Sequence, residues 1–169
     1  KKLNISSSEL NTIKPITDNQ KEVFASYEKG QNLFLYGVAG TGKTFVALYN
    51  ALKDVLDPKS PRERVYIVRS LLPTRDIGFL PGDEEDKSYL YQVPYQNMVR
   101  FMFQRGSDAE FDRLYTDLRN QGTIDFLSTS FLRGITIDNG VIIVDECQNL
   151  NFHELDTIMT RIGQNTRIV

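Results

Sequence analysis

The sequence predicts an α/β protein with a doubly wound, mainly parallel sheet, and three observations support this. Short apolar runs typical of buried strands alternate with longer runs typical of helices, the order found in parallel sheets with crossover helices. A glycine-rich turn joins the first apolar run to a helix, and a later apolar run ends in two carboxylates. The length of 169 residues suits one domain with a substantial core.

The individual elements follow from apolar runs, caps and breakers. Residues 1–16 are mostly polar and predict a loosely held lead-in, so the domain proper is expected at 17–169. Thr17 or Asp18 can cap the first helix, and Gly30 can end it. The further predicted elements are a buried strand at 33–36, a helix at 43–56, a strand at 65–68, helices at 95–105 and 108–120, strands at 123–127 and 140–145, a helix at 151–162 and a strand beginning at 166–169.

Residues 70–94 are predicted to be irregular. Three prolines, two glycines and the acidic run Asp83–Asp86 resist regular structure there. An irregular stretch of this length inside a compact domain usually has a functional role. We therefore expect residues 70–94 to form a functional loop. At the other end, a domain seldom stops inside a core strand, so we expect the natural chain to continue beyond Val169.

Composition excludes several classes of protein. The chain is 40% apolar and 25% charged, as in ordinary soluble proteins, and its net charge of −2 means that any nucleic-acid contact needs a local patch. One cysteine, Cys147, excludes an internal disulfide framework and is compatible with a reducing cytosol. The one histidine, His153, is expected on a helix surface rather than at a metal. No run approaches the ~18 apolar residues that a membrane span needs, so we expect a cytoplasmic protein without a membrane partner.

The glycine-rich turn carries the first half of the predicted site. Its sequence is Gly37-Val-Ala-Gly-Thr-Gly-Lys-Thr44, the complete phosphate-loop pattern, with an apolar run before it and a helix after it. Glycines let the backbone wrap an anion, while successive N–H groups and the helix N-terminus face the phosphates. Lys43 is predicted to reach the β- and γ-phosphates, and the Thr44 hydroxyl to ligate Mg²⁺. The predicted nucleotide-binding residues of the turn are Gly37, Val38, Ala39, Gly40, Thr41, Gly42, Lys43, Thr44 and Phe45. The alternative is a turn that binds nothing, which the complete pattern disfavours.

Two carboxylates supply the second half of the predicted site. The apolar run Val141–Val144 is followed by Asp145 and Glu146, at the strand end where open α/β sheets bind ligands. Asp145 is placed to hold Mg²⁺, directly or through water, and Glu146 to orient and deprotonate an attacking water. By itself this pattern is as often only a strand end. Together with a phosphate loop it supplies the metal and the base for phosphoryl transfer to water, so we predict hydrolysis of a γ-phosphate.

The same residues resemble a known superfamily. Asp145-Glu-Cys-Gln148 resembles the Asp-Glu-x-Gln box of superfamily 1 helicases, whose cores are RecA-like P-loop domains. Gln20, upstream of the phosphate loop, is similar to the glutamine with which that superfamily reads adenine. An amide can pair with both N6 and N7 of adenine, which favours ATP over GTP. The resemblance implies that Gln20 and Gln148 contact the nucleotide; without it, Gln20 is more simply a solvated helix residue.

Further phrases resemble the PhoH-like ATPases, in particular phage-type members, over roughly residues 17–169. These phrases are Val68–Gly82, Glu84–Lys87, Phe131–Gly134, Asp145–Asn149 and Thr160–Gly163. The resemblance implies an ATP-hydrolysing, Mg²⁺-dependent RecA-like domain that acts on or with RNA or single-stranded DNA, in the host cytoplasm if the protein is phage-encoded. The family's Gly-Asp-x-x-Gln element, similar to the helicase γ-phosphate sensor, is expected beyond Val169.

Four arginines are candidates for holding a phosphate or for completing a neighbour's site. They are Arg69, Arg75, Arg133 and Arg161. For each of them a surface or structural ion pair is at least as frequent a role. Arg133, in the loop before the Asp-Glu strand, is the first candidate for catalysis. A single lobe lacks a second lobe's arginine, so we expect a neighbouring copy to supply it in a homo-oligomer, with a hexameric ring as the suspected form.

Two other functions stay open at this point. The chain can be the N-terminal lobe of a larger superfamily 1 helicase, which a second RecA-like lobe beyond Val169 would reveal. It can also be a nucleotide-binding switch or scaffold that holds ATP without turnover. Substitutions of Lys43 and Glu146 separate these cases, since the first should abolish binding and the second only hydrolysis.

Overall fold

The structure, a computed structural model, describes residues 5–69 and 84–169. The predicted functional loop, including Arg75, falls largely on residues 70–83 and to that extent lies outside the described residues. The described helices and strands are α1 (Asp18–Glu28), α2 (Lys43–Val55), β1 (Arg64–Arg69), α3 (Glu84–Met102), α4 (Asp108–Asn120), β2 (Ile124–Leu127), β3 (Gly140–Asp145), α5 (Phe152–Met159) and β4 (Arg167–Ile168). Short 3₁₀ turns at Ser7–Glu9 and Cys147–Asn149 complete the described elements.

The four strands form one parallel sheet in the order β2-β1-β3-β4. Successive residues of a strand face opposite sides of a sheet, and both sides are covered. Val65 packs in a core cluster with residues of α1 to α4, whereas Val68 packs in a second cluster with Ile158 of α5. The prediction of a doubly wound, single-domain α/β fold is therefore confirmed.

The two central strands end together, which positions the site. In the register of β1 and β3, Arg69 lies beside Asp145, the last residue of each strand. Residues Gly140–Ile143 of β3 are buried, as their continuous apolar character predicts for a strand covered on both faces. Because the carboxyl ends coincide, Arg69 and Asp145 lie at one edge of the sheet, and Glu146 follows directly after Asp145.

The prediction of a buried strand at 33–36 is wrong. These residues lie outside the strands, because one backbone hydrogen bond, from Leu33 N to Ile168 O (3.0 Å), does not make a ladder. Leu33 and Leu35 pack against the core, but Phe34 and Tyr36 are 76% and 86% exposed. The apolar run therefore buries only every second side chain against the described part of the chain.

The predicted irregular stretch at 70–94 is also partly wrong. Residues 84–94 belong to α3, which begins eleven residues before the predicted helix at 95–105 and contains Pro94. A proline inside a helix removes one backbone hydrogen bond, yet Pro94 is exposed and its neighbour Tyr95 is buried in the core with Val99 and Met102. Packing of the apolar face of α3 thus outweighs the tendency of Pro94 to break a helix.

Residues 5–13 are not loosely held. Ile5 is buried in the core, Ser7 N donates to Leu56 O (3.2 Å), and Asn11 N donates to Met102 O (2.8 Å). Ile13 N donates to the hydroxyl of Tyr49 (3.2 Å). The domain boundary at residue 17 stays a prediction. Within residues 5–69 and 84–169, no helix combines the length and apolar character needed to cross a membrane.

Candidate nucleotide site

The phosphate loop leads directly into α2. Gly40 (φ 79°) and Gly42 (φ 81°) adopt the left-handed conformation that a side chain disfavours, and α2 begins at the next residue, Lys43. Gly42 is the N-cap and has no side chain to bond the first amides of α2. Those amides, with the positive end of the helix dipole, can therefore bind an anion.

Lys43 lies inside the curve of this loop. Its Nζ donates to the carbonyl oxygens of Gly37 (3.0 Å) and Val38 (2.8 Å), with Thr41 Oγ1 at 3.5 Å. These are neutral acceptors, and an ammonium group bonds anionic phosphate oxygens more strongly. A triphosphate in the loop would therefore compete well for the Lys43 ammonium.

A hydrogen bond joins the loop to the strand that carries the carboxylates. Thr44 Oγ1 donates to Asp145 Oδ1 at 2.9 Å, across 101 positions of sequence. Asp145 Oδ1 also accepts from the backbone N of Glu146 (3.1 Å). The fold therefore brings together the two halves of the site that the sequence predicts separately.

The second oxygen of Asp145 contacts a residue that the sequence analysis missed. The hydroxyl of Tyr95, in α3, donates to Asp145 Oδ2 at 2.5 Å. Burial raises the pKa of Tyr95, the nearby charge of Asp145 and the hydrogen bond to it raise it further, and Arg69 opposes the rise. Nothing in the sequence signals this contact, because Tyr95 looks like one more apolar-face residue of a helix.

Glu146 occupies a strained position at the end of β3. It has φ 53° and ψ 42°, the left-handed conformation that non-glycine residues seldom adopt outside functional or turn sites. Its exposed side chain accepts a hydrogen bond from the amide of Gln148. Glu146 and Gln148, the other two candidate site residues of the Asp-Glu-x-Gln box, thus contact each other.

The oxygen ligands at the loop suit Mg²⁺. The Thr44 hydroxyl and the Asp145 carboxylate lie in contact, and hard oxygen ligands are those that Mg²⁺ prefers. In residues 5–69 and 84–169, no group of three or more His, Cys, Asp or Glu side chains could hold a metal by itself. Mg²⁺ typically takes one or two protein ligands and fills its shell with phosphates and water, so the residues present fit that ion.

Gln20 lies beside the phosphate loop. Its Nε2 donates to Thr41 O at 3.2 Å, and its Oε1 accepts from Ile16 N at 2.9 Å. The side-chain amide is therefore fixed between the start of α1 and the phosphate loop. Its role in reading adenine stays a prediction, as does the role of Gln148.

Two other predicted site residues, Phe45 and Arg133, have their described side-chain contacts away from the phosphate loop. Phe45 is partly buried, with its side chain packed against the core, and its contact with the nucleotide stays a prediction. Arg133 lies in the loop after β2, where its Nη2 is 3.2 Å from Nε2 of His153 in α5. Both line a cleft of about 300 Å³ with Asn151 and Glu154, among others. The contacts described for Arg133 belong to this cleft, and its catalytic role stays a prediction.

Comparison with known proteins gives a consistent result. The model of the family described as "PhoH-like protein" matches residues 12–169. The chain is 35% identical to Protein PhoH2 of Bacillus subtilis over 136 residues, 80% of this chain and 30% of that protein. It is 30% identical to a PhoH-like protein of Mycobacterium tuberculosis over 168 residues, 99% and 45% of the two chains. Protein PhoH of Escherichia coli K12 is 29% identical over 151 residues, 89% and 41%. The chain spans less than half the length of each of these relatives.

Proposed function

We propose, since this chain belongs to the PhoH-like protein family, that it binds ATP with Mg²⁺ and hydrolyses the γ-phosphate. The family and the fold support a P-loop domain of the nucleotide-binding type. Support for ATP hydrolysis with Mg²⁺ comes from the chemistry of particular residues. We take residues 17–169 as the RecA-like ATPase domain.

One observation carries the proposal, the 2.9 Å hydrogen bond from Thr44 to Asp145. It places the end of the phosphate loop against the carboxylate strand, so one ion can touch both the protein and the phosphates. Mg²⁺, when bound there, would neutralise charge on the β- and γ-phosphate oxygens. Thr44 and Asp145 would hold it.

The other residues have roles that follow from their chemistry. Lys43 would exchange its loop carbonyls for phosphate oxygens as the triphosphate enters. The loop amides from Gly37 to Phe45 would bind the same phosphates, and Gln20 and Gln148 would contact the nucleotide. Glu146, the exposed carboxylate beside Asp145, would orient and deprotonate the attacking water. Arg133 would stabilise the transferred phosphate, in its own site or in that of a neighbouring copy.

We further propose that turnover is coupled to RNA or single-stranded DNA and to assembly into a homo-oligomer, with a hexameric ring as the expected form. Support for the first comes from the resemblance to helicase cores. Support for the second comes from the need for an arginine from outside the lobe. A cytoplasmic location fits both.

The test is a set of three measurements on the full chain: ATP binding, ATP hydrolysis with and without added RNA or single-stranded DNA, and oligomeric state. Lys43→Ala should lose binding, because it removes the cation of the loop. Glu146→Gln should keep binding and lose hydrolysis by about 10²–10⁴-fold, the usual contribution of a general base. Wild-type protein that binds no ATP would refute the proposal.

A second candidate function is a switch that holds ATP without turnover. It is favoured by the hydrogen bonds that already engage Glu146 and Lys43. Glu146 accepts from Gln148, and Lys43 is bonded to its own loop. If wild-type protein binds ATP but hydrolyses none with either polynucleotide, and Glu146→Gln binds ATP equally well, the switch is the correct function.

A further inference from the structure

Tyr95 connects the hydrophobic core to the metal side of the candidate site. The residue is 2% exposed, and its ring packs edge-on to Phe126 with 5.5 Å between the ring centroids. Its hydroxyl is 2.5 Å from Asp145 Oδ2. An ionised carboxylate can only accept, so the hydroxyl is the donor. A rigid, buried ring thus presents one polar atom to one predicted Mg²⁺ ligand.

The donors around Asp145 divide between its two oxygens. Oδ1 accepts from Thr44 Oγ1 (2.9 Å) and from Glu146 N (3.1 Å), whereas Oδ2 accepts from Tyr95. Two held oxygens define the plane of a carboxylate, while one held oxygen leaves the group free to rotate. In the described part of the chain, Tyr95 is the contact on the second oxygen that sets this plane.

We propose that Tyr95 is a positioning residue for Mg²⁺: its hydroxyl holds the Asp145 carboxylate in the orientation that keeps Oδ1 beside Thr44. The proposal rests on the proposed function and deepens it. Tyr95 does not itself touch the ion or the nucleotide. We expect loss of the Tyr95 hydroxyl to weaken the binding of Mg²⁺ but not the binding of nucleotide without metal, because Asp145 is a proposed Mg²⁺ ligand.

The chain contains a matched control for this contact. Tyr27 is 4% exposed, and its hydroxyl donates to Asp54 Oδ2 at 2.8 Å. Asp54 lies near the far end of α2, roughly 16 Å along the helix axis from Lys43 at 1.5 Å per residue. Tyr27→Phe and Tyr95→Phe therefore remove the same atom from the same kind of bond, one away from the site and one within it.

The experiment titrates Mg²⁺ into the full-length chain with MANT-ATP, a fluorescent ATP analogue, and repeats the binding measurement in EDTA. For Tyr95→Phe, we expect the Mg²⁺ midpoint to rise about tenfold, the usual loss when a group behind a metal ligand is removed. Its affinity for MANT-ATP in EDTA should equal that of wild type. Tyr27→Phe should keep the wild-type Mg²⁺ midpoint even if it melts at a lower temperature.

The outcomes separate this inference from the proposed function. A wild-type Mg²⁺ midpoint in Tyr95→Phe, or equal shifts in both variants, overturns the role of Tyr95 while leaving ATP binding in place. Wild-type protein that binds no MANT-ATP with Mg²⁺ overturns both.

A second measurement applies should Tyr95→Phe not fold. 3-Fluorotyrosine placed at position 95 alone keeps the hydroxyl, and its ¹⁹F signal should shift when Mg²⁺ is added to the MANT-ATP complex. An unchanged signal at saturating Mg²⁺ overturns the proposal.

Discussion

The two ends of α2 show how the same contact serves different purposes. At the amino end, Thr44 contacts Asp145, whose other oxygen accepts from the buried Tyr95. At the carboxyl end, Asp54 accepts from the buried Tyr27. Each end thus combines an aspartate with a tyrosine hydroxyl, and the difference lies in the other partners.

Asp54 forms ion pairs with two arginines, whereas residues 5–69 and 84–169 show no ion pair of Asp145, although Arg69 lies beside it in the sheet. Arg62 Nε lies 2.6 Å from Asp54, Arg167 lies 3.9 Å away, and Ser60 donates at 2.5 Å. The donors described for Asp145 are two hydroxyls and one amide, all neutral. A carboxylate without a cationic partner keeps its charge available for a ligand. The comparison therefore favours a stabilising role for Asp54 and supports the proposed role of Asp145 in binding.

The largest effect is expected from Asp54→Ala. It leaves the partly buried Arg62 and Arg167 without their acid, and since breaking a fully buried pair costs about 3–5 kcal/mol, we expect a loss of unfolding free energy towards the lower end of that range. Urea unfolding measures this loss. ATP affinity, measured well below the melting temperature, should stay within twofold of wild type. A large loss of affinity in the folded variant would show that the two ends are not independent.

The reverse result is expected from Asp145→Asn. The Mg²⁺ requirement for ATP binding should rise about 10- to 100-fold, because an amide is a weaker ligand than a carboxylate. Unfolding free energy should change little, since no described cation loses a partner. Calorimetric Mg²⁺ titrations and urea unfolding on the same preparation check both expectations. Destabilisation as large as that of Asp54→Ala would contradict the comparison.

Gly42→Ala tests whether the backbone conformation at the amino end of α2 matters for ATP binding, since it adds only a methyl group. At φ 81° an alanine costs about 1–2 kcal/mol relative to glycine. Part of this cost should appear as weaker ATP binding, because relief of the strain moves the loop amides that we propose bind the phosphates. Isothermal titration with ATP measures the loss of affinity, and thermal unfolding measures the loss of stability. Gly106→Ala, a substitution outside the loop, serves as a control for ATP binding.

The smallest expected effect is on how stability changes with pH below about pH 4, and it arises from the lowered pKa of Asp54. Burial alone would raise the pKa of Asp54, yet the hydrogen bonds that it accepts, above all that from Arg62, hold its pKa below the usual 3.8. A folded-state pKa below the unfolded value means that the ionised group stabilises the fold above about pH 4. This contribution is lost as the pH falls through the lowered value.

Asp54→Asn should therefore weaken the fall in stability below pH 4, relative to wild type. Unfolding curves recorded from pH 6 to pH 2 check this. Equal slopes for the two proteins would mean that other carboxylates carry the acid sensitivity.

Several local features were predictable from the sequence. The apolar run 140–145 was predicted as a buried strand and is one, because four buried apolar residues at its start demand cover on both faces. Thr17 or Asp18 was predicted as the cap of the first helix, and in the structure it is Thr17, whose hydroxyl accepts from Gln20 N. The run 33–36 has the same apolar character, yet it is not a strand, since pairing requires a neighbour with matching backbone groups.

The sequence by itself determined the chemistry that the site can contain. Glycines at 40 and 42 allow the loop its left-handed turns, and a strand that ends in Asp145 and Glu146 puts two acids at a sheet edge. Both are local properties of the chain. Only the tertiary structure decided that Thr44 meets Asp145 and that Tyr95 holds its second oxygen. Those contacts span 101 and 50 positions, and they exist because the parallel sheet and the packing of α3 bring distant segments to one edge.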